Sequence, residues 1–168
     1  MRWTRPATWH LTLLFLGGVE AAEVGRLEAV LRSAADRTAP YEVRADEGGG
    51  RSRRKEGAAW LGLSRGAGTL VDVADLMAET CPPEITTSPT PKRTPSAHLT
   101  IVRRADEAVI DALRTQAHGP LGVTWEVDRI SLIRSYLEPG GARYETLGEM
   151  RLYAQASPFR RTQWPGEG

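Results

Sequence analysis

Cysteine is nearly absent from this 168-residue chain. The single copy, Cys81, excludes an internal disulfide and a cysteine-based zinc site, and nothing in that count points to secretion through disulfides. Histidine is almost as scarce, with three copies. An excess of one charge is also missing: 22 basic and 21 acidic residues leave a net +1. Such a chain is no general polyanion binder, so affinity for phosphate has to come from local clusters. Long apolar runs are lacking too, and no stretch approaches the roughly 20 residues of a membrane span. What remains is an ordinary globular mix, 40% apolar and 26% charged, enough to bury a core in one domain or in two small lobes that share one.

The start imitates a secretory leader, with Arg2 and Arg5 ahead of an apolar run and small residues. That run, Leu11–Val19, is short and holds Thr12 and two glycines, with His10 at its head. It reads as a strand, and a cytoplasmic monomer is expected.

Along the chain, Trp9–Leu16 reads as a buried strand closed by Gly17-Gly18. Glu20–Arg37 reads as a helix with Val24, Leu27, Val30, Leu31 and Ala34 on one face. Tyr41–Ala45 alternates as a strand, "DEGGGRSRRKEG" is too polar and glycine-rich for regular structure, and Ala58–Leu63 is a further strand. Thr69 and Asp72 form a capping-box-like start to a helix bearing Leu70, Val73, Leu76 and Met77, stopped by Cys81-Pro82-Pro83. The proline-rich "PPEITTSPTPKRTPS" predicts an extended loop. Beyond it, His98–Val102 is a strand, and Asp106–Ala117 a helix with Val109, Ile110 and Leu113 inward. Two long strands follow, about Val123–Leu137 and Arg143–Tyr153, joined at "EPGGA". Residues 1–155 are expected to form one unit and 156–168 a frayed tail.

The tripeptide His-Leu-Thr occurs twice, at His10 and at His98, each time followed by an apolar residue. The copies hint at an internal pseudo-repeat, although the two halves share little else. On a strand, residues i and i+2 share a face, so His10 points with Thr12, and His98 with Thr100. If both strands border one pocket, two imidazoles and two hydroxyls converge there. One imidazole can take a proton from water while the other gives one to a leaving oxygen. Threonine hydroxyls can donate hydrogen bonds to non-bridging phosphate oxygens. Two other readings stand beside this one. A lone His-Leu-Thr is commonly just the polar face of a strand. A two-histidine metal centre would want a carboxylate near the motif, where threonine, a poor ligand, stands instead. His118, after a helix and before Gly-Pro, reads as a C-terminal histidine favoured by the helix dipole.

"WHLTLLFLGGV", "PSAHLTIVRR" and "ISLIRSYLEPGGARYETL" together resemble the 2H phosphoesterase superfamily, in its RNA 2′,3′-cyclic phosphodiesterase (2′-5′ RNA ligase) branch, over most of residues 3–152. The resemblance implies an α+β, bilobal fold in which two antiparallel sheets face across a central cleft with helices outside. It implies His10 and His98 as catalytic acid and base, with Thr12 and Thr100 on the phosphate and no metal or other cofactor. The reaction would open a terminal 2′,3′-cyclic phosphate to a 2′-phosphate on RNA ends or cyclic nucleotides. Phe15 matches an aromatic that stacks on a base, and Arg103 a basic residue after the second motif. Alternation places both on the wrong face unless the strand bends or bulges. Arg51–Glu56 and Pro91–Arg93 are basic loops that could guide an RNA end. The family usually opens with a strand and a helix ahead of the first motif, so these are expected to be missing, leaving a sheet edge open. The rivals are a 2H enzyme for another 2′-5′ or cyclic phosphate substrate, and a non-catalytic RNA-end binder.

Overall fold

The computed structural model describes residues 1–52, 57–85, 92–93, 97–116, 122–139 and 141–153. Five antiparallel strands make the main sheet: β1 (Arg2–Trp3), β3 (Tyr41–Arg51), β4 (Ala58–Arg65), β6 (His98–Arg103) and β7 (Val123–Val127), in the order β1-β6-β4-β3-β7. Two smaller pairs stand apart from it. One joins β2 (Leu14–Phe15) to β5 (Lys92–Arg93), and the other is the hairpin of β8 (Arg129–Glu138) with β9 (Gly141–Arg151). Three helices complete the mixed α+β fold: α1 (Val24–Asp36), α2 (Ala67–Thr80) and α3 (Glu107–Gln116).

Helix α1 follows its periodicity. Leu27, Val30, Leu31, Ala34 and Ala35 are buried, and they meet Val73 and Met77 of α2 and Ile130 and Leu132 of the hairpin in one apolar core. A second core lies under α3, where Ile110 packs with Ala59, Leu99 and Val102 of the main sheet. Asp106 caps that helix through a bond from the Val109 amide to its Oδ1 (3.1 Å).

Four expectations change. The glycine-rich "DEGGGR" is strand, not loop: β3 runs on to Arg51 and pairs with β4 down to Ala58. Its glycines are what let α3 lie on the sheet. A Cβ on Gly48 would sit 2.0 Å from the Leu113 carbonyl oxygen, and one on Gly50 would sit 2.6 Å from Ile110 Cγ1. The single strand expected over Val123–Leu137 is two, because the chain leaves the main sheet at Asp128 and enters the hairpin. Helix α2 starts two residues before Thr69, after Gly66 in a left-handed conformation (φ 77°), with no side-chain cap. Thr69 and Asp72 lie inside its first turns and form no capping box. The strand expected over Trp9–Leu16 survives as a single bridge at Leu11 and the two residues of β2.

The edge of β6 is occupied at both ends, by Arg2–Trp3 opposite Arg103 and Val102 and by Leu11 opposite Leu99. Between those contacts the chain makes a 3₁₀ turn over Pro6–Thr8. Among the described residues, no helix is long and apolar enough to cross a membrane. The tail from Ala156, His118, Arg53–Glu56 and Pro91 lie outside the described residues.

Candidate active site

The two tripeptides meet through their leucines. Leu11 forms an antiparallel bridge with Leu99. Leu99 is buried, Leu11 half-buried, and both turn into the core under α3. Their neighbours therefore turn to the opposite face. The pairing is confined to these two residues, and an antiparallel register extended from it would put His10 on the side of Thr100 and Thr12 on the side of His98.

The same face continues across the sheet. Trp60 pairs with Thr100 and Gly62 with His98, and on the next strand Gly49 pairs with Trp60 and Glu47 with Gly62. The Trp60 and His98 rings touch, with centroids 5.2 Å apart and planes at 45°. A register slip lies between Ala59 and Trp60, where Ile101 is the extra residue of β6. This is the bulge that Arg103 requires. Val102 moves to the buried side, and Arg103 takes the face of Thr100 and His98. Arg2 stands directly opposite Arg103 and so shares that face.

His10 is exposed and held from three sides. Its Nδ1 lies 2.8 Å from the Thr8 carbonyl oxygen; because that oxygen can only accept, the bond puts a proton on Nδ1. The Thr4 hydroxyl lies 3.1 and 2.9 Å from the Thr100 and Ile101 carbonyl oxygens and accepts the Trp9 indole N–H at 2.9 Å. This short chain ties the turn before His10 to the backbone of β6. The third support is Tyr144 of β9, edge-on to the imidazole at 5.2 Å with planes at 77°. The hairpin leans over the same region at its tip, where a Cβ on Gly141 would collide with the Arg2 guanidinium at 2.2 Å.

Phe15 is 58% exposed. Leu11 and Leu13 pack inward, and so do Leu14 and Leu16. The inward phase therefore changes between Leu13 and Leu14, and the bend frees Phe15 from the core. Lys92 and Arg93 form β5, so the basic segment at Pro91–Arg93 is partly strand and lies beside Leu14–Phe15. Burial, and after it the Glu84 carboxylate, push the Cys81 thiol above its ordinary value, which disfavours the thiolate. Among the described residues there is no group of three or more His, Cys, Asp or Glu side chains that could hold a metal ion.

Sequence reasoning had no signal for Thr4, Thr8 or Trp60. Each acts through a contact made only when distant segments meet. Tyr144 was marked only by the resemblance of the closing hairpin.

The α+β fold and the paired His-x-Thr segments are those of the two-histidine (2H) phosphoesterase superfamily. The family model described as the 2′-5′ RNA ligase superfamily matches residues 5–138, and the chain belongs to that superfamily. No curated protein matches the chain. Several solved structures share the fold. TT0787 of Thermus thermophilus is 21% identical, with a TM-score of 0.70 over 92% of this chain and 83% of that one. E. coli LigT complexed with 3′-AMP is 23% identical, with a TM-score of 0.70 over 90% and 80%. The same protein complexed with phosphate gives 21% identity and a TM-score of 0.61 over 90% and 80%.

Proposed function

We propose that this chain hydrolyses a terminal 2′,3′-cyclic phosphate of RNA or of a nucleotide to a 2′-phosphate, with His10 and His98 as the acid–base pair and no metal. One observation carries the reading: the central leucines of the two motifs, Leu11 and Leu99, bridge to each other, which supports a shared face for both histidines and both threonines. One imidazole removes a proton from water as its oxygen attacks phosphorus. The bond from phosphorus to O3′ breaks, and the other imidazole gives its proton to that oxygen. Thr12 and Thr100 donate hydrogen bonds to the non-bridging oxygens, and Arg103 offsets their charge. Phe15 offers an exposed ring for a base outside this set. The complexes of LigT with 3′-AMP and with phosphate support a nucleotide monophosphate as the ligand class.

The test is hydrolysis of 2′,3′-cyclic nucleotides in EDTA, with the product followed by phosphorus NMR. Turnover to the 2′-phosphate with a bell-shaped pH profile is expected, because one imidazole must be neutral and the other protonated. His10→Ala and His98→Ala should each reduce kcat by ~10²–10⁴. Turnover abolished by EDTA, or unchanged in either variant, overturns the reading. Binding without turnover that survives both substitutions marks a non-catalytic RNA-end binder instead.

A further inference from the structure

Beside His98, on the side away from the first motif, the main sheet holds a cavity of about 560 Å³. Its floor comes from β3 and β4, with Gly48, Gly49, Trp60 and Gly62, and the first turns of α2, with Gly68 and Asp72, close its far side. The volume falls within the range typical of small-molecule sites. Phe15 does not line it.

Two features give this cavity a chemistry. The first is aromatic. The indole of Trp60 lies over Gly49, where a Cβ would meet Nε1 at 2.5 Å. Any side chain there would displace the ring. Trp60 is thus a wall that joins the cavity to the His98 imidazole. The second feature is anionic. Glu47, Gly62 and His98 lie in line across three strands. A Cβ on Gly62 would be 3.4 Å from Glu47 Oε2, so the carboxylate leans over that glycine towards the histidine. Among the described residues, neither the Glu47 nor the Asp72 carboxylate, both at the cavity, makes a hydrogen bond or ion pair. A carboxylate repels a phosphate and accepts hydrogen bonds from an amine, so the cavity is not a second phosphate site.

We propose that this cavity is a base-recognition subsite, with Trp60 as the stacking platform and Glu47 as the acceptor for an exocyclic amine. The subsite therefore selects cytosine, adenine or guanine over uracil. The proposal rests on the function proposed above, since the base belongs to the nucleoside whose phosphate lies between the histidines. Cytosine presents an amine at the position where uracil presents a carbonyl; Glu47 bonds to the first and repels the second.

The experiment compares kcat/KM for 2′,3′-cyclic CMP and 2′,3′-cyclic UMP in the wild type, Glu47→Gln and Trp60→Leu. The wild type should favour the cytidine substrate by about tenfold or more, the scale of one hydrogen bond to a charged group. Glu47→Gln, which can donate to the uracil carbonyl as well as accept from the cytosine amine, should bring the ratio near one by lowering the cytidine value and raising the uridine value. Trp60→Leu should raise KM for both substrates by about tenfold, the scale of a lost base stack. A wild-type ratio within twofold of one overturns the proposal, as does a ratio retained in Glu47→Gln. So does an equal fall for both substrates with a shifted pH profile, which would place the carboxylate on His98 and not on a base. If no cyclic nucleotide is turned over, the hydrolytic reading fails by itself. The cavity is then judged by titrating 2′-CMP against 2′-UMP and reading the tryptophan quenching that Trp60→Leu removes: tighter cytidine binding that depends on Glu47 upholds the subsite, and equal binding overturns it.

Discussion

The two copies of His-Leu-Thr are held by different means. The second sits in β6, which has β4 along one side and β1 and Leu11 on the other, and buries Leu99, Ile101 and Val102. The first pairs with that strand through one residue, follows a 3₁₀ turn and leads into a strand of two residues. A backbone ladder fixes His98. His10 depends instead on the Thr8 carbonyl, the Thr4–Trp9 link and the Tyr144 ring. One tripeptide can therefore present the same side chains from a rigid support and from a softer one. In the softer case the precision comes from a few side-chain contacts that a single substitution removes.

The largest test of this contrast lies in the leucines. Leu99→Ala empties a packed site and should cost about 2–5 kcal/mol of stability. Leu11→Ala, half-buried, should cost less and mainly lower activity, because it unhooks the first motif from the sheet. Urea midpoints and kcat measured on both variants check this, and equal losses of stability would erase the asymmetry. Next in size is Tyr144→Ala, which frees the His10 ring without touching the core. It should lower kcat several-fold, on the scale of about 1 kcal/mol for an aromatic contact, and leave the melting temperature within about 2 °C. Thr4→Val should act in the same direction and more weakly: the turn before His10 loses its tie to β6, and hydrogen exchange should speed up at the Thr8 and Trp9 amides but not in β6. The smallest effect is expected from Phe15→Ala. Its ring is mostly exposed and outside the cavity beside His98, so KM for a cyclic mononucleotide should rise by less than the tenfold expected of Trp60→Leu.

Much of this was legible from local pattern. The inward face of α1, the paired motifs, the strand at His98, the helix over Glu107–Gln116 and the closing hairpin all follow from periodicity and turn residues. The failures share a cause. Three glycines in a row read as loop because sequence shows their backbone freedom and hides what needs their missing side chains, the helix at Gly48 and Gly50 and the Trp60 ring at Gly49. The break at Asp128 carries no turn signal, since it is a change of sheet partner within extended chain. Thr69 and Asp72 had the spacing of a cap, but Gly66 starts the helix earlier.

By itself the sequence determined which chemical groups the two motifs carry. It also determined which face of each motif they occupy, because the alternation of side chains along a strand is a local property of the backbone. Only the tertiary structure decided that the two motifs meet at Leu11 and Leu99, that Ile101 bulges to bring Arg103 to the face of Thr100, and that Trp60 lies over Gly49 beside His98. Those outcomes depend on which strand lies next to which, and strand pairing is settled by the packing of residues far apart in the chain.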